Sequence, residues 1–377
     1  DEKWMILGLP VANDAAMMRS ASFLYFENGL GWVAVGGVLL FHAGITTFSG
    51  GYVGVDVFFV LSGFLITSIL LRDTSLLGFY QRRARRILPA LLVMMLVVLA
   101  LSLVIMLPYD LIDLGGSIIS TVMFVSNIFF WRQAGYFKPE VELMPLLHTW
   151  SLGVEEQFYI FFPLVVILVR RLWPERGSPQ FFAVVFTIAA LVSLALSQVF
   201  IIWGQAYASF YLLPTRAWEL LVGSILATGA VPQLRTSAMR SIVALTGFVA
   251  VCIPMLAYDK FTPFPGVAAL PPVLGTAMII HAGTGGTNLV ARVLSLRPVV
   301  FVGLLSYSLY LWHWPVLALL HYRLVRELTV SETVIALGLS FGLAWLSWRF
   351  VEQPFRKGFS DSAIWKMSGA GLATFGL

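Results

Sequence analysis

The fold is decided by residues 87–107, which read ILPALLVMMLVVLALSLVIML. This stretch contains no charged side chain, and as an α-helix it would extend for about 32 Å at the usual rise of 1.5 Å per residue. The hydrocarbon core of a bilayer is about 30 Å thick. The stretch therefore predicts a helix that crosses a membrane.

The composition of the whole chain extends this prediction. Of its 377 residues, 59% are hydrophobic and only 11% are charged, and the mean hydropathy is +0.88. Soluble domains carry about 25% charged residues, so an ordinary soluble domain is excluded, as are disordered and disulfide-stapled chains. The single cysteine, Cys252, allows neither an internal disulfide nor a cysteine-rich metal site. We expect an all-α, polytopic integral membrane bundle.

Apolar runs between charged, proline or glycine breaks predict ten transmembrane helices. They cover residues 29–46, 52–71, 87–107, 148–169, 180–203, 214–229, 241–258, 267–282, 299–320 and 333–349. An eleventh apolar run begins after Ser360 and is cut off at Leu377. Because the chain has no internal repeat, we expect one membrane domain over 29–357. A polar N-terminal leader over 1–28 precedes it, and the start of an additional helix over 358–377 follows it.

The apolar segment 115–131 is not among the ten predicted spans. If it does not cross the membrane and the N-terminus is cytoplasmic, the inner loops carry most of the arginines and lysines between spans, as membrane topology favours. If it did cross, Arg170 and Arg171 would face outward. We therefore predict that 115–131 is re-entrant or lies along the outer interface. The net charge of +5 is then a topology signal rather than a sign of nucleic-acid binding.

Ionisable side chains inside the predicted helices indicate a polar layer. Each costs about 2.5–3.5 kcal/mol on insertion scales and marks a functional site by default. They are His42, Asp56, Glu155, Glu156, Arg216, Glu219 and His313. Their distances from the helix ends place residues from five helices in the outer half of the bilayer, which favours a polar cavity. In the alternative interpretation, Arg216 and Glu219 neutralise each other at i,i+3 spacing and the histidines are interhelical hydrogen-bonders.

Residues 72–86, RDTSLLGFYQRRARR, form an arginine-rich inner loop. These arginines either only set the topology or form a rim that binds the phosphates of a cytoplasmic cofactor, since the guanidinium fork matches phosphate geometry. The sequence contains no Walker loop, no GxGxxG after a strand pattern and no HExxH. We therefore do not expect nucleotide hydrolysis within this chain.

Six strings occur in a fixed order along the chain. They are FHAGITTFSGGYVGVDVFFVLSGFLITSILL (41–71), FYQRRARRILPALL (79–92), LLHTWSLGVEEQFYIFFPL (146–164), RAWELLVGSILA (216–227), SYSLYLWHWPVL (306–317) and RFVEQPFRK (349–357). Together they resemble the membrane acyltransferase-3 family, the O-antigen acetylase-like proteins, over roughly Gly29–Lys357. The resemblance implies ten membrane helices and an O-acyltransferase.

The resemblance also implies a reaction and a location. Family members move an acyl group, commonly acetyl from cytoplasmic acetyl-CoA, onto exported carbohydrate such as lipopolysaccharide O-antigen or peptidoglycan. The expected partners are membrane lipid, acyl-CoA and a lipid-linked or envelope polysaccharide, with no metal and no nucleic acid. We expect a multi-pass protein of the bacterial inner (cytoplasmic) membrane with a cytoplasmic N-terminus. The run after Ser360 resembles the extra helix that precedes an extracytoplasmic SGNH-type domain in many members.

The expected catalytic residues follow from matching the family histidine to His42, which would act as base or nucleophile. Asp56 or Glu155 would orient it. His313 would carry a second proton or donate a hydrogen bond to the acyl oxygen. Ser62 would line the path, unless it is bonded to its own helix backbone.

The expected binding residues lie at the two ends of the bundle. The CoA phosphates would bind at the inner mouth to Arg82, Arg83, Arg85 and Arg86, chiefly the last two. The acceptor would bind near the outer end of the fourth span, at His148, Trp150 and Ser151. The family motif places an arginine eleven residues before its histidine, where this chain has Gly31. This departure leaves a non-catalytic family member as one alternative, and the polar layer within ten helices leaves a secondary transporter that uses the same cavity as another.

Overall fold

A computed structural model describes residues 14–72, 75–134, 142–173 and 177–357, without the side chains of 14–25, Arg72 and Lys357. Every regular element in these ranges is helical, which confirms the expected class. The helices are α1 (Asp14–His42), α2 (Gly54–Arg72), α3 (Leu76–Ile105), α4 (Pro108–Val122), α5 (Ser126–Gln133), α6 (Thr149–Leu172), α7 (Pro179–Ile202), α8 (Ala206–Tyr211), α9 (Leu213–Ala227), α10 (Ser237–Ala257), α11 (Leu270–Thr284), α12 (Leu289–Leu294), α13 (Arg297–Leu324), α14 (Val330–Ser347) and α15 (Gln353–Lys357). Short 3-10 turns occur at Thr46–Phe48, Gly51–Val53 and Gly266–Ala269, and a π turn over Trp348–Glu352 joins α14 to α15.

Eight segments in the described ranges are long and apolar enough to cross a membrane. They are Gly51–Leu71, Leu76–Ile105, Thr149–Leu172, Pro179–Ile202, Ser237–Ala257, Gly266–Thr284, Arg297–Leu324 and Val330–Arg356. These eight match predicted spans and support a polytopic membrane protein. The other two predicted spans fall on α1 and on α9, which has 15 residues and a length of about 22 Å. The count of ten stays a prediction.

The first helix differs from its predicted bounds at both ends. It begins at Asp14 instead of residue 29, so residues 14–28 of the expected leader are helical. It ends at His42 because Gly44 adopts φ +74. The N–H of Gly44 bonds to the Phe41 carbonyl and that of Ile45 to the Leu40 carbonyl, which is a Schellman motif. His42 is therefore the last residue of the helix instead of lying a turn inside it.

Two predicted regions lie wholly or partly outside the described residues. The described part of the leader over 1–28 starts at residue 14, and the additional helix over 358–377 is not described. The segment 115–131 forms parts of α4 and α5, which are separated by a turn at Met123–Val125. Neither helix is among the eight long apolar segments. The position of segment 115–131 along the membrane interface stays a prediction.

The chain divides into two compact units. Unit 1 comprises Asp1–Ser20, Ser75–Trp150 and Leu305–Leu377, and unit 2 comprises Ala21–Thr74 and Ser151–Leu304. Within unit 1, α3 packs against α4, the π turn and α15. Within unit 2, α9 packs against both α2 and α7, and α11 packs against α2 and α10.

Glycines bring α2 and α9 into backbone contact. A Cβ atom built on Gly63 would lie 1.8 Å from the carbonyl oxygen of Leu220, and one built on Gly223 would lie 2.0 Å from that of Val60. Beside this contact, the Thr67 hydroxyl donates a hydrogen bond of 2.8 Å to Ser224. Small residues allow membrane helices to approach closely and gain van der Waals contact. The contact fixes the two helices that carry Asp56, Arg216 and Glu219.

Candidate active site

A buried cluster of charges joins α2 to α9 in unit 2. The Nη2 atom of Arg216 lies 3.2 Å from Oδ1 of Asp56, and its Nη1 atom lies 3.1 Å from Oε1 of Glu219. All three side chains are at most 1% exposed. Charges removed from water are tolerated when they are paired with opposite charges. One guanidinium group therefore forms ion pairs with two carboxylates.

Aromatic rings enclose the Arg216 guanidinium. Its Cζ atom lies 5.2 Å from the ring centroid of Phe59 and 5.6 Å from those of Phe210 and Phe264. The faces of aromatic rings attract cations, most strongly where water is excluded. The cluster is thus held by both ionic and aromatic contacts.

Two predictions bear on this cluster. The Arg216–Glu219 pairing, which was the alternative interpretation of their i,i+3 spacing, is present in the structure. Asp56 joins it as a third member that spacing alone did not indicate, because its contact with Arg216 depends on how α2 packs against α9. Asp56 was expected to orient His42, but its ion pair is with Arg216. Its action on His42 stays a prediction.

A second polar contact joins α2 to α6 within unit 2. The Ser62 hydroxyl donates a hydrogen bond of 2.8 Å to Oε1 of Glu155, and the Tyr159 hydroxyl donates one of 3.2 Å to Oε2. Both oxygens of the carboxylate are therefore held by hydroxyl donors. Ser62 reaches another helix, which favours the interpretation in which it belongs to a polar site.

His42 is the first ring in a series of aromatic contacts. The ring centroids of Phe41 and His42 are 5.1 Å apart, those of Phe41 and Tyr52 are 5.4 Å apart, and those of Tyr52 and Phe264 are 4.9 Å apart. Phe264 is one of the rings on Arg216. Aromatic contacts thus run from the end of α1 to the buried charges. Sequence reasoning missed Tyr52 and Phe264, whose only signal was aromatic character near predicted helix ends.

His313 lies in unit 1, where its hydrogen bonds define a tautomer. Its Nδ1 atom lies 2.7 Å from the carbonyl oxygen of Tyr310 and 3.2 Å from that of Leu309. Carbonyl oxygens only accept hydrogen bonds, so Nδ1 carries the proton. In the neutral ring the lone pair is then on Nε2. This tautomer suits a proton acceptor better than a hydrogen-bond donor at Nε2.

His148 lies beside His313 in the same unit. The two ring centroids are 5.8 Å apart, and the Tyr310 ring lies 5.5 Å from each of them. The Tyr310 hydroxyl also donates a hydrogen bond of 2.8 Å to the His148 carbonyl. His148 is 2% exposed. The histidines expected to serve the acceptor and to carry a proton are therefore neighbours.

Hydroxyl groups of α4 and α5 lie within hydrogen-bond distance of Thr149, the residue that follows His148. The Thr121 hydroxyl lies 2.9 Å from that of Thr149, and the Ser126 hydroxyl donates a hydrogen bond of 2.8 Å to the Thr149 carbonyl. Trp150 and Ser151, expected to bind the acceptor, lie in the first turn of α6 and are buried, at 7% and 6% exposure. Their role as binding residues stays a prediction.

The four arginines expected to bind phosphates lie on α3 in unit 1. Arg82 is exposed, whereas Arg83, Arg85 and Arg86 are partly buried. The Arg83 guanidinium lies 6.0 Å from the ring centroid of Phe79. One α-helix thus presents all four side chains within five residues. Their binding of CoA stays a prediction.

The family of the chain follows from comparison with known proteins. A family described as an acyltransferase domain (Acyl_transf_3) matches residues 24–349, so this chain belongs to the membrane acyltransferase-3 family, as the sequence motifs indicated. It is similar to the O-acetyltransferase OatA of Staphylococcus aureus strains NCTC 8325 and MRSA252, with 33% identity over 367 residues. The match covers 92% of this chain and 60% of the relatives' length. No solved structure matches the chain.

Proposed function

We propose that this chain is the membrane domain of an O-acetyltransferase, which moves an acetyl group from cytoplasmic acetyl-CoA to exported cell-envelope carbohydrate. Family membership and the names of the relatives support acyl transfer to oxygen. The observation that carries the proposal is the arrangement in unit 2, where aromatic contacts join a histidine at a helix end to buried charges. Ionisable side chains inside a membrane cost free energy, so they are not expected in an apolar bundle with only a structural role.

In this proposal, His42 acts on the acceptor hydroxyl. The imidazole takes the hydroxyl proton while the oxygen attacks the thioester carbonyl carbon. A C–O bond forms, the C–S bond breaks, and the proton passes to the sulfur of the departing CoA. If His42 acts instead as the nucleophile, the acetyl group is first carried on its ring nitrogen and then passes to the acceptor oxygen.

The other site residues support this step. Asp56 or Glu155 is the proposed carboxylate partner that orients His42. Asp56 is held by Arg216, and Glu155 is held by Ser62 and Tyr159. His313 serves as a second proton carrier, a role that its Nδ1–H tautomer favours over donation to the acyl oxygen. His148, Trp150 and Ser151 bind the acceptor.

The donor side of the reaction is assigned to the arginines of α3. Arg82, Arg83, Arg85 and Arg86 bind the phosphates of CoA, because guanidinium groups form paired hydrogen bonds with phosphate oxygens. This places α3's N-terminal end in the cytoplasm. The chain is then a multi-pass protein of a bacterial inner membrane with its N-terminus inside.

The proposal is tested by transfer of radiolabelled acetyl from acetyl-CoA to glycan in membranes that contain the chain. Wild type should label lipid-linked or envelope glycan. His42→Ala should lower the rate by about 10²-fold or more, the usual effect of losing a general base. His321→Ala is the matched control, since His321 is 29% exposed near the end of α13, and it should retain activity. Undiminished labelling by His42→Ala would remove His42 from the mechanism.

One departure from the family motif favours a second candidate, a non-catalytic member. Gly31, which is buried in α1, occupies the position of the motif's arginine. A chain that binds acetyl-CoA but transfers no label to any glycan would support this candidate. Gly31→Arg should then raise transfer if the missing cation limits the reaction. Export of an unmodified glycan without transfer of label would instead indicate a transporter.

A further inference from the structure

The helix α13 bonds to both ends of the turn that carries His148. Tyr310 and Trp314 lie four residues apart on α13, so their side chains share one face of the helix. The Trp314 indole N–H donates a hydrogen bond of 2.9 Å to the Met144 carbonyl. The Tyr310 hydroxyl donates one of 2.8 Å to the His148 carbonyl. The turn over 144–148, which leads into α6, is therefore tied to α13 at its first and last residues.

The same helix also carries a second buried histidine. His313 lies between Tyr310 and Trp314 in the chain, and its Nδ1 atom lies 2.7 Å from the Tyr310 carbonyl oxygen. The Tyr310 ring centroid lies 5.5 Å from the centroids of both imidazoles, which are 5.8 Å apart. Tyr310 thus contacts each histidine through one hydrogen bond and one ring contact.

The position of His148 in a turn explains why such contacts matter. Side chains on helices are held more precisely than side chains on loops. Besides the two bonds from α13, the Ser126 hydroxyl of α5 donates a hydrogen bond of 2.8 Å to the carbonyl of Thr149, the next residue. Side chains from two helices therefore bond to three backbone carbonyls within residues 144–149. These three bonds fix the backbone without using the ring nitrogens of His148.

We propose that Tyr310 and Trp314 are positioning residues for His148, which they hold beside His313 in the acceptor site. This inference rests on the proposed function, in which His148 binds the acceptor. Neither positioning residue touches the reacting atoms, and each acts through the turn over 144–148. A misplacement of about 1 Å can slow an enzymatic reaction by about 10²-fold. Loss of either hydrogen bond should therefore reduce the rate of acetyl transfer.

The test measures the initial rate of label transfer from radiolabelled acetyl-CoA, at saturating concentration, in membranes that contain equal amounts of each variant. Tyr310→Phe keeps the ring and removes only the hydroxyl, and it should lower the rate about tenfold or more. Trp314→Phe removes the indole N–H and should also lower it. Tyr307→Phe is the matched control, because its hydroxyl lies on the same helix and donates a hydrogen bond of 2.8 Å to another carbonyl, that of Ile87. It should keep the rate within about twofold.

A second background separates positioning from a general structural effect. His148→Gln retains the backbone carbonyl, so Tyr310→Phe removes the same hydrogen bond there as in wild type. If Tyr310 acts through the imidazole, Tyr310→Phe should change the rate of His148→Gln by less than about twofold, because the two effects are not additive. Trp314→Phe serves in the same comparison if Tyr310→Phe fails to fold.

Thermal unfolding in detergent provides a readout that needs no activity. Tyr310→Phe and Tyr307→Phe should unfold at similar temperatures, since each loses one hydroxyl bond of 2.8 Å to a carbonyl. A full rate of transfer by Tyr310→Phe, or equal losses in the wild-type and His148→Gln backgrounds, would overturn the inference and leave the proposed function standing. Wild type that transfers no label would overturn the proposed function and the inference with it.

Discussion

At the scale of single residues, Arg216 determines how charge is tolerated inside unit 2. It neutralises one carboxylate on its own helix and one on α2, and three aromatic rings surround it. Without it, Asp56 and Glu219 would face each other as two buried acids. Uncompensated buried charge is among the most destabilising changes a protein can suffer.

Replacing Arg216 by Gln should destabilise the fold by about 3–5 kcal/mol, the usual loss when one partner of a buried ion pair is removed. The measurement is thermal unfolding of the purified chain in detergent. The triple variant Arg216→Gln, Asp56→Asn, Glu219→Gln should recover much of the loss, because it leaves no charge in this cluster. An unfolding temperature of Arg216→Gln equal to that of wild type would contradict the paired arrangement.

Ser62→Ala should cost about 0.6 kcal/mol, the average for interhelical hydrogen bonds in membranes, and at most about 1.7 kcal/mol. The reason is that Glu155 loses a hydroxyl donor 2.8 Å away. Ser68→Ala, in the same helix and partly buried, is the control and should change the unfolding temperature less. If Glu155 belongs to the active layer, Ser62→Ala should also slow acetyl transfer, whereas equal behaviour of both variants would argue against the contact.

Residue types and spacing predicted part of this site. The pairing of Arg216 with Glu219 followed from their separation on one helix, and the six motifs indicated the family. The link from Arg216 to Asp56 could not be predicted, because it depends on which helices pack together. Tyr52 and Phe264 were missed for the same reason, since their rings meet only after residues far apart in the chain are brought together.

At the scale of elements, the contact between α2 and α9 depends on the missing side chains of Gly63 and Gly223. Their backbones touch carbonyl groups of the opposing helix, so there is no layer of side chains to absorb added volume. Closely packed interiors respond to even one added methyl group.

Gly63→Ala should therefore destabilise the chain by about 1–3 kcal/mol or more, since the new Cβ would lie 1.8 Å from the Leu220 oxygen. Gly338→Ala is the matched control within a predicted membrane helix, because nothing lies within 4 Å of its built Cβ. It should be neutral or stabilise the chain by about 0.5–1 kcal/mol. Thermal unfolding in detergent measures both, and a tolerated Gly63→Ala would contradict the close approach.

Helix ends were predicted less well than helix centres. The first span was expected to reach residue 46, whereas α1 stops at His42 because Gly44 provides the left-handed residue of a Schellman motif. The sequence contains the signal for this helix end, Gly44, but a hydropathy pattern carries no information about backbone conformation. The error matters for function, since it moves His42 from the helix interior to its last position.

At the scale of the whole molecule, hydropathy predicted the membrane class and eight of the helices directly. Two predicted spans remain open: α9 has only 15 residues, and α1 is not among the eight long apolar segments of the described residues. The segment 115–131 is apolar by composition, yet its hydroxyl groups bond within unit 1 and its helices are broken by a turn. Hydropathy alone does not separate such a segment from a span.

Topology provides the whole-molecule prediction. After replacement of Cys252, single cysteines at Arg171 and Lys260 should react with membrane-impermeant maleimide from opposite sides of the membrane, Arg171→Cys from the cytoplasm and Lys260→Cys from outside. This follows from ten spans, with 115–131 not crossing. Labelling of Arg171→Cys from outside intact cells would instead require 115–131 to span.

The π turn at Trp348–Glu352 has a consequence for the orientation of α15. Such a turn acts as a one-residue insertion into an α-helix. Deleting one residue there would restore regular winding without altering overall hydrophobicity. The wide turn takes up that extra residue; in a regular helix the same residue would rotate α15 by about 100° around the helix axis and turn Arg356 away from α3. The length of this turn therefore decides which side of α15 faces α3.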